Sequence, residues 1–356
     1  MGDPSGISPE LTARILCDAE ARALANYIVI GDARVLSLGA AHAGVTIDLP
    51  VWRPGEARLP PSDGAILVDL ETFDAQNATQ GVATPAGGRF ALTNFRAALR
   101  LAALGGADAC TFTPFNKHAM RLFHAPYVDE IAIIDEATDG AGQGREFNIL
   151  AELWNARVTS HIPLSQVAER ITRRAVLDAL QLTDRSMRAA GFAAPRIAVA
   201  ALNPHAGDGG NFGHEDDEEI APAVEDAQSA GIICDGPFPS DTVFLRARRG
   251  DYDAVQTMYH DQGQIAMKLM GFERGVTLIG GYPFPVCTPA HGTAYDIAGQ
   301  GRADLGATRE AMRIAARLAT VRSPATSSAR TRVGALEAAC MWALALGRPN
   351  RDEAVP

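Results

Sequence analysis

Short apolar or β-branched runs alternate along this chain with longer, alanine-rich stretches of helical period. That rhythm constrains the fold more than any other feature, because strand-then-helix repetition is the signature of α/β layering with a largely parallel sheet. Predicted strands cover residues 27–30, 64–69, 109–112, 157–160, 196–202, 254–258 and 276–279. Predicted helices cover 8–19, 85–104, 166–190, 215–230 and 262–270. A last helical stretch, 302–345, is expected to break near 323–328, and DEATDGAGQGR at 135–145 reads as a loop of hinge character.

Size and charge narrow the class. The 356 residues, 47% of them hydrophobic, suffice for about two domains at ~150 residues each without disulfide staples. A net charge of −10 disfavours a nucleic-acid or anionic-membrane partner, since both need a positive face. No run of about 18 uncharged apolar residues occurs, which excludes a membrane-spanning helix of that kind. The opening MGDPSGISPE has neither a basic n-region nor an apolar h-region. The five cysteines (17, 110, 234, 287 and 340) are odd in number and form no CxxC pair, so a reduced, cytoplasmic setting is expected. Gly2–Gly6 reads as a strand-to-helix turn, with Ser8 capping and Pro9 at the first helical position. A turn of that kind leads to the expectation that strand residues precede Gly2.

Of 32 basic residues, only Lys117 and Lys268 are lysines. A codon bias explains the arginines but not the two exceptions. A compact ammonium with a tunable pKa does what a planar guanidinium cannot. Lys268 sits in the nearly apolar Ile265–Met270 turn and either snorkels outward or meets a substrate carboxylate. Lys117, in Thr113-Pro-Phe-Asn-Lys, follows a strand and has weaker support.

Three histidines share one context: each follows a predicted strand. They are His161 after residues 157–160, His205 in Asn203-Pro-His-Ala-Gly, and His260 in Tyr259-His-Asp-Gln-Gly. Ligands of open α/β sheets bind beyond the carboxyl ends of strands, so three strands would deliver imidazoles to one rim. Three neutral imidazoles with an open position suit Zn²⁺, whereas Mg²⁺ wants oxygen ligands; the alternative is three hydrogen-bonded structural histidines. The Glu215–Glu219 run already compensates its helix dipole, so the preceding glycine-rich loop is not read as a phosphate cradle; the run itself reads as a solvated helix start. Asp241, in Pro239-Ser-Asp-Thr, is a helix cap, a partner for an imidazole, or a proton acceptor. His291-Gly-Thr-Ala-Tyr-Asp-Ile-Ala-Gly is a specific string whose turn can hold adenine and ribose, and no GxGxxG occurs in the chain.

In order, GDPSGISPE, TPFNK, TSHIPL, LNPHAGDGG, GPFPSDT, YHDQG, GFERGV and HGTAYDIAG resemble the 4-hydroxythreonine-4-phosphate dehydrogenase (PdxA) family, over nearly the whole length. The resemblance implies two α/β/α domains flanking a cleft, of the isocitrate/isopropylmalate dehydrogenase kind. Residues 1–125 plus 290–356 would carry the nucleotide-binding turn, and 126–289 the metal-binding histidines and dimer interface. It implies a homodimer with shared active sites, NAD (NADP the alternative) at His291, Gly292, Thr293, Ala294 and Asp296, and one divalent metal, zinc first, on His161, His205 and His260. Lys268 and Asp241 match catalytic positions. The implied reaction is oxidation of a secondary alcohol β to a carboxylate, followed by decarboxylation.

The sequence also departs from the family. Tyr127-Val128-Asp129-Glu130 stands where members acting on the phosphorylated threonine carry Gly-His-Thr-Glu. Thr277 follows Arg274-Gly-Val in place of asparagine, and Val286 replaces a phosphate-contacting arginine. Asp129, Arg274, Thr277 and Lys268 are therefore the expected substrate contacts, in a pocket made apolar by Phe284, Pro285 and Pro289. On this reading the favoured substrate is a non-phosphorylated carboxylate such as a terephthalate-type cis-dihydrodiol. The alternative is the vitamin B6 pathway enzyme itself, and an alternative of another class is a non-catalytic metal- or nucleotide-binding protein.

Overall fold

The computed structural model describes residues 1–73, 79–140, 142, 144–151, 153–321 and 329–347. The chain divides into two compact units, Met1–Gly144 with Tyr282–Pro356, and Arg145–Gly281. Strands β1 (Tyr27–Gly31), β2 (Val51–Trp52), β3 (Ala65–Asp69) and β4 (Cys110–Thr111) belong to the first unit. Strands β5 (Arg145–Leu150), β6 (Leu153–Arg157), β7 (Ile197–Ala200), β8 (Cys234–Phe238), β9 (Ala254–Thr257) and β10 (Val276–Gly280) form the second, and β11 (Val286–Pro289) returns to the first. The first crossing falls at Gly144 and not after residue 125. The helix Glu130–Ala137 packs on the helix Pro85–Ala103, where Arg96 grips Glu136 at 2.9 and 3.2 Å and Arg100 donates to Ala137 O at 3.0 Å.

In the first unit β1 and β2 flank β3, all parallel, and β11 runs parallel to β4. Its core gathers Ile30, Trp52, Val68, Ala97, Leu101, Leu336 and Cys340. Each fully buried large side chain there contributes about 1.5–3 kcal/mol relative to exposure.

In the second unit the order is β10-β5-β6-β9-β7-β8. Pairings from β6 through β9 and β7 to β8 are parallel, while β10/β5 and β5/β6 are antiparallel. Its core includes Ala198, Val243, Phe244, Val255 and Met267.

Differences from the sequence reading have local causes. Residues 157–160 are not a strand: β6 ends at Arg157, and Val158 and Thr159 instead donate backbone bonds to Thr257 O and Met258 O. The first helix begins at Ser8 with Ile7 as its cap. Ser8 is released to accept from Gly2 N at 2.8 Å and to bond Thr113 Oγ1 at 2.6 Å. The expected helix at 166–190 is interrupted between Val167–Arg170 and Arg173–Ala189. The last stretch comprises helices Gly306–Val321 and Ala329–Leu346, and the break expected at 323–328 lies outside the described residues.

Candidate functional site

The second unit carries all three candidate metal histidines, and it brings two of them together. Because Arg157 and Thr257 are partners in register, the chain leaves β6 and β9 side by side. The His161 and His260 rings emerge with centroids 5.4 Å apart. Their approach is fixed from several directions. Arg157 Nε donates to Ser160 Oγ at 3.1 Å, immediately before His161. Gln262 accepts from Met258 N and donates to Ala201 O, both at 2.7 Å, tying the end of β9 to the end of β7. Gly263 is forced by packing, since a Cβ there would lie 2.1 Å from Asn155 Oδ1 on β6. His260 Nδ1 lies 2.7 Å from Asp261 Oδ1, a carboxylate contact that orients the imidazole.

His205 is held differently. It follows β7 in a left-handed run, with φ of +55° at His205, +55° at Ala206, +81° at Gly207 and +48° at Asp208. Its ring faces Phe212 at 6.1 Å. Among the described residues no three His, Cys, Asp or Glu converge as a metal-ligating group. The structure therefore presents a two-imidazole pair, with the third histidine on a strained loop of its own. Left-handed conformations cost about 1 kcal/mol or more for residues with a Cβ. The run is sustained by Asp216, fully buried, whose carboxylate accepts from Leu202 N at 2.8 Å and Asn203 N at 3.0 Å. This corrects the reading of Glu215–Glu219 as a merely solvated helix start. The π-helical turn Asp216–Ile220 places one acid of the run inside, and no periodicity in five consecutive acids marks which one.

Lys268 lies two turns along the helix His260–Gly271, about 12 Å from His260 at 1.5 Å per residue, and is exposed beside Leu269. Asp241 is exposed in the first turn of the helix Ser240–Arg248. Arg274 is exposed in a short 3₁₀ turn, and Thr277, on β10 opposite Asn148, accepts from its Nδ2 at 3.5 Å. Sequence reasoning missed Arg157, which is 5% exposed and bonded to Glu146 at 2.6 Å and Asn148 at 2.8 Å. Its only signal was a charge in a predicted strand.

In the first unit three separate motifs meet. Gly2 N donates to Thr113 Oγ1 at 3.0 Å, Asp3 N to Pro114 O at 3.0 Å, and Ile7 N to Thr293 O at 3.0 Å. The stretch bearing His291, Gly292, Thr293, Ala294 and Asp296 is thereby docked on the opening loop. His291 Nδ1 lies 3.1 Å from Gly292 O, and Asp296 is exposed. Lys117 pairs with Glu130 at 2.8 Å. Asp129 caps the helix Glu130–Ala137, accepting from Ala132 N at 3.0 Å.

One inference about the substrate pocket is overturned. Val286 has no exposed surface, and Phe284, Pro285 and Pro289 are likewise buried. Val286 pairs with Cys110 in the β4/β11 core, so its side chain reports packing and not a pocket made apolar.

Comparison with known proteins agrees with this architecture. The profile described as pyridoxal phosphate biosynthetic protein PdxA matches residues 23–315. A Rhizobium meliloti protein provisionally named 4-hydroxythreonine-4-phosphate dehydrogenase 2 is 56% identical over 90% of this chain and 92% of its own. The crystal structure of 4-hydroxythreonine-4-phosphate dehydrogenase from Klebsiella pneumoniae matches at TM-score 0.73 and 33% identity, covering 90% and 98% of the two chains. A terephthalate 1,2-cis-dihydrodiol dehydrogenase from Burkholderia xenovorans matches at 0.61 and 29%, covering 88% and 96%. Fold and relatives together define an α/β dehydrogenase acting on a CH–OH group. The chain belongs to the PdxA family.

Proposed function

We propose that this protein oxidises the secondary alcohol β to the carboxylate of a phosphorylated hydroxythreonine-like acid, with decarboxylation of the resulting ketone. The observation that carries this reading is the 56% identity, across nine-tenths of the chain, to a relative provisionally named for that substrate. The cis-dihydrodiol reading gives way on two counts. The relative bearing that name is only 29% identical. The valine that argued for a remade phosphate end is a core residue.

In this proposal His161 and His260 hold a divalent metal, with His205 the further ligand that the family resemblance implies, and the His291–Asp296 stretch holds NAD, with NADP as the alternative. The adjacent imidazoles fit a transition metal, zinc first, by donor type. When bound, the ion supplies a Lewis acid for the substrate hydroxyl and the nicotinamide supplies the hydride acceptor. Asp241, or Lys268, takes the hydroxyl proton through water, and Lys268, Arg274, Thr277 and Asp129 bind the carboxylate and phosphate ends. A homodimer with shared sites fits the exposed Leu164, Ile265 and Leu269 of the second unit, which are 71%, 60% and 84% exposed. A reducing, cytoplasmic setting fits five free cysteines, four of them buried. No helix of the described residues is long and apolar enough to cross a membrane.

Side-by-side kinetics test the assignment. A kcat/KM above ~10⁴ M⁻¹s⁻¹ on 4-phosphohydroxythreonine is ordinary for an enzyme on its own substrate and is expected here. Turnover of a cis-dihydrodiol carboxylate at that level, with the phosphorylated acid at least a hundredfold worse, would restore the other assignment.

A further inference from the structure

We propose that Asp3 is a positioning residue for the nucleotide-binding turn, acting through the phenol of Tyr295. The inference rests on reading the His291–Asp296 stretch as that turn. Tyr295 Oη donates to Asp3 Oδ2. Asp3 is 1% exposed and is itself held: its Oδ1 accepts from Ser5 N at 2.9 Å and its backbone N donates to Pro114 O at 3.0 Å.

The turn needs such a hold. Ala294, the residue before Tyr295, sits at φ +42°, ψ +59°, a left-handed conformation that alanine adopts only when its surroundings impose it. One flank is pinned by Ile7 N on Thr293 O. That approach depends on Gly6, where a Cβ would lie 2.8 Å from Thr293 O. The other flank is pinned by the Asp3–Tyr295 contact. Burial raises the pKa of both the Asp3 carboxyl and the Tyr295 phenol, so the phenol keeps its proton and donates it. Asp3 is thereby assigned to the shape of the turn and not to the chemistry.

NADH binding to the full-length protein tests this, by fluorescence titration alongside thermal unfolding. The variants are Tyr295→Phe, Asp3→Asn and the double replacement. Tyr295→Phe is expected to weaken NADH at least tenfold, which is about 1.4 kcal/mol, with the melting temperature little moved. In steady state the loss should fall on KM for NAD and not on kcat. Adding Asp3→Asn to Tyr295→Phe should cost less than a further twofold, because the two act through one contact. Tyr295→Phe is nearly isosteric and decides the question if Asp3→Asn does not accumulate. NADH affinity within twofold of wild type, or a weakening matched by a general loss of stability, overturns the positioning role. A wild-type protein that binds neither NADH nor NADPH overturns the reading of the turn, and the inference with it.

Discussion

Arg157 and Glu146 form a buried ion pair at 2.6 Å, with 3% of the arginine side chain and 16% of the glutamate side chain exposed. They face each other across the antiparallel β5/β6 ribbon, four residues short of His161. Burial lowers the pKa of Arg157, against the opposing pull of Glu146. Removing one partner of such a pair strands a charge and costs about 3–5 kcal/mol, whereas replacing both with apolar groups is often close to neutral. Arg157→Met should therefore lose about 3 kcal/mol in urea unfolding, and Arg157→Met with Glu146→Met should recover most of it. A double variant as unstable as the single one would show that the pair does not act as a unit.

The left-handed run after β7 predicts two replacements of opposite sign. Ala206, at φ +55° and ψ +44°, gains from Ala206→Gly because glycine has no Cβ to clash there. After the added entropy of the unfolded chain, a net stabilisation of about 0.5 kcal/mol is expected. Gly207, at φ +81°, would place a Cβ 3.0 Å from Gly213 O, so Gly207→Ala should destabilise by at least about 1 kcal/mol. Thermal melts of both variants check the pair of signs.

Arg309 holds the Asp18 carboxyl below the usual carboxylate range, chiefly through their hydrogen bonds, the shortest at 2.5 Å. The folded value lies below the ordinary 3.8. The contribution is therefore complete above the unfolded value and is lost as pH falls through the folded one. Arg309 is 39% exposed, so screening limits the pair to about 0.5–1 kcal/mol. Arg309→Gln should lower stability at pH 7 by that amount and lower it less at pH 2. An equal loss at both pH values would assign the effect to packing.

Lys268→Arg separates charge from chemistry. It keeps a cation but changes its shape and removes its accessible deprotonation. Turnover should fall at least tenfold, ~1.4 kcal/mol of barrier. Turnover near the wild-type rate would return Lys268 to the snorkelling reading.

The sequence determined what local chemistry can enforce. Strands β1, β3, β7, β9 and β10 stood out because their apolar, β-branched residues are legible without context, and the α/β class followed from their alternation with helices. β8, Cys234–Phe238, was invisible for the opposite reason. Asp235, Gly236 and Pro237 read as a turn, and only a place beside β7 alone, at the end of the sheet order, lets a proline stand in a strand. Which side chains matter was decided by tertiary structure. Spacing marked three histidines as equivalent, yet register between β6 and β9 joins His161 to His260, while a left-handed loop held by Asp216 carries His205. Val286 read as a lost phosphate contact because sequence gives identity without burial; its pairing with Cys110 places it in the core. Asp3 and Tyr295 lie 292 positions apart, and no local pattern could have joined them. Periodicity reports which face of an element is apolar, but which polar group meets which is set only when distant segments pack.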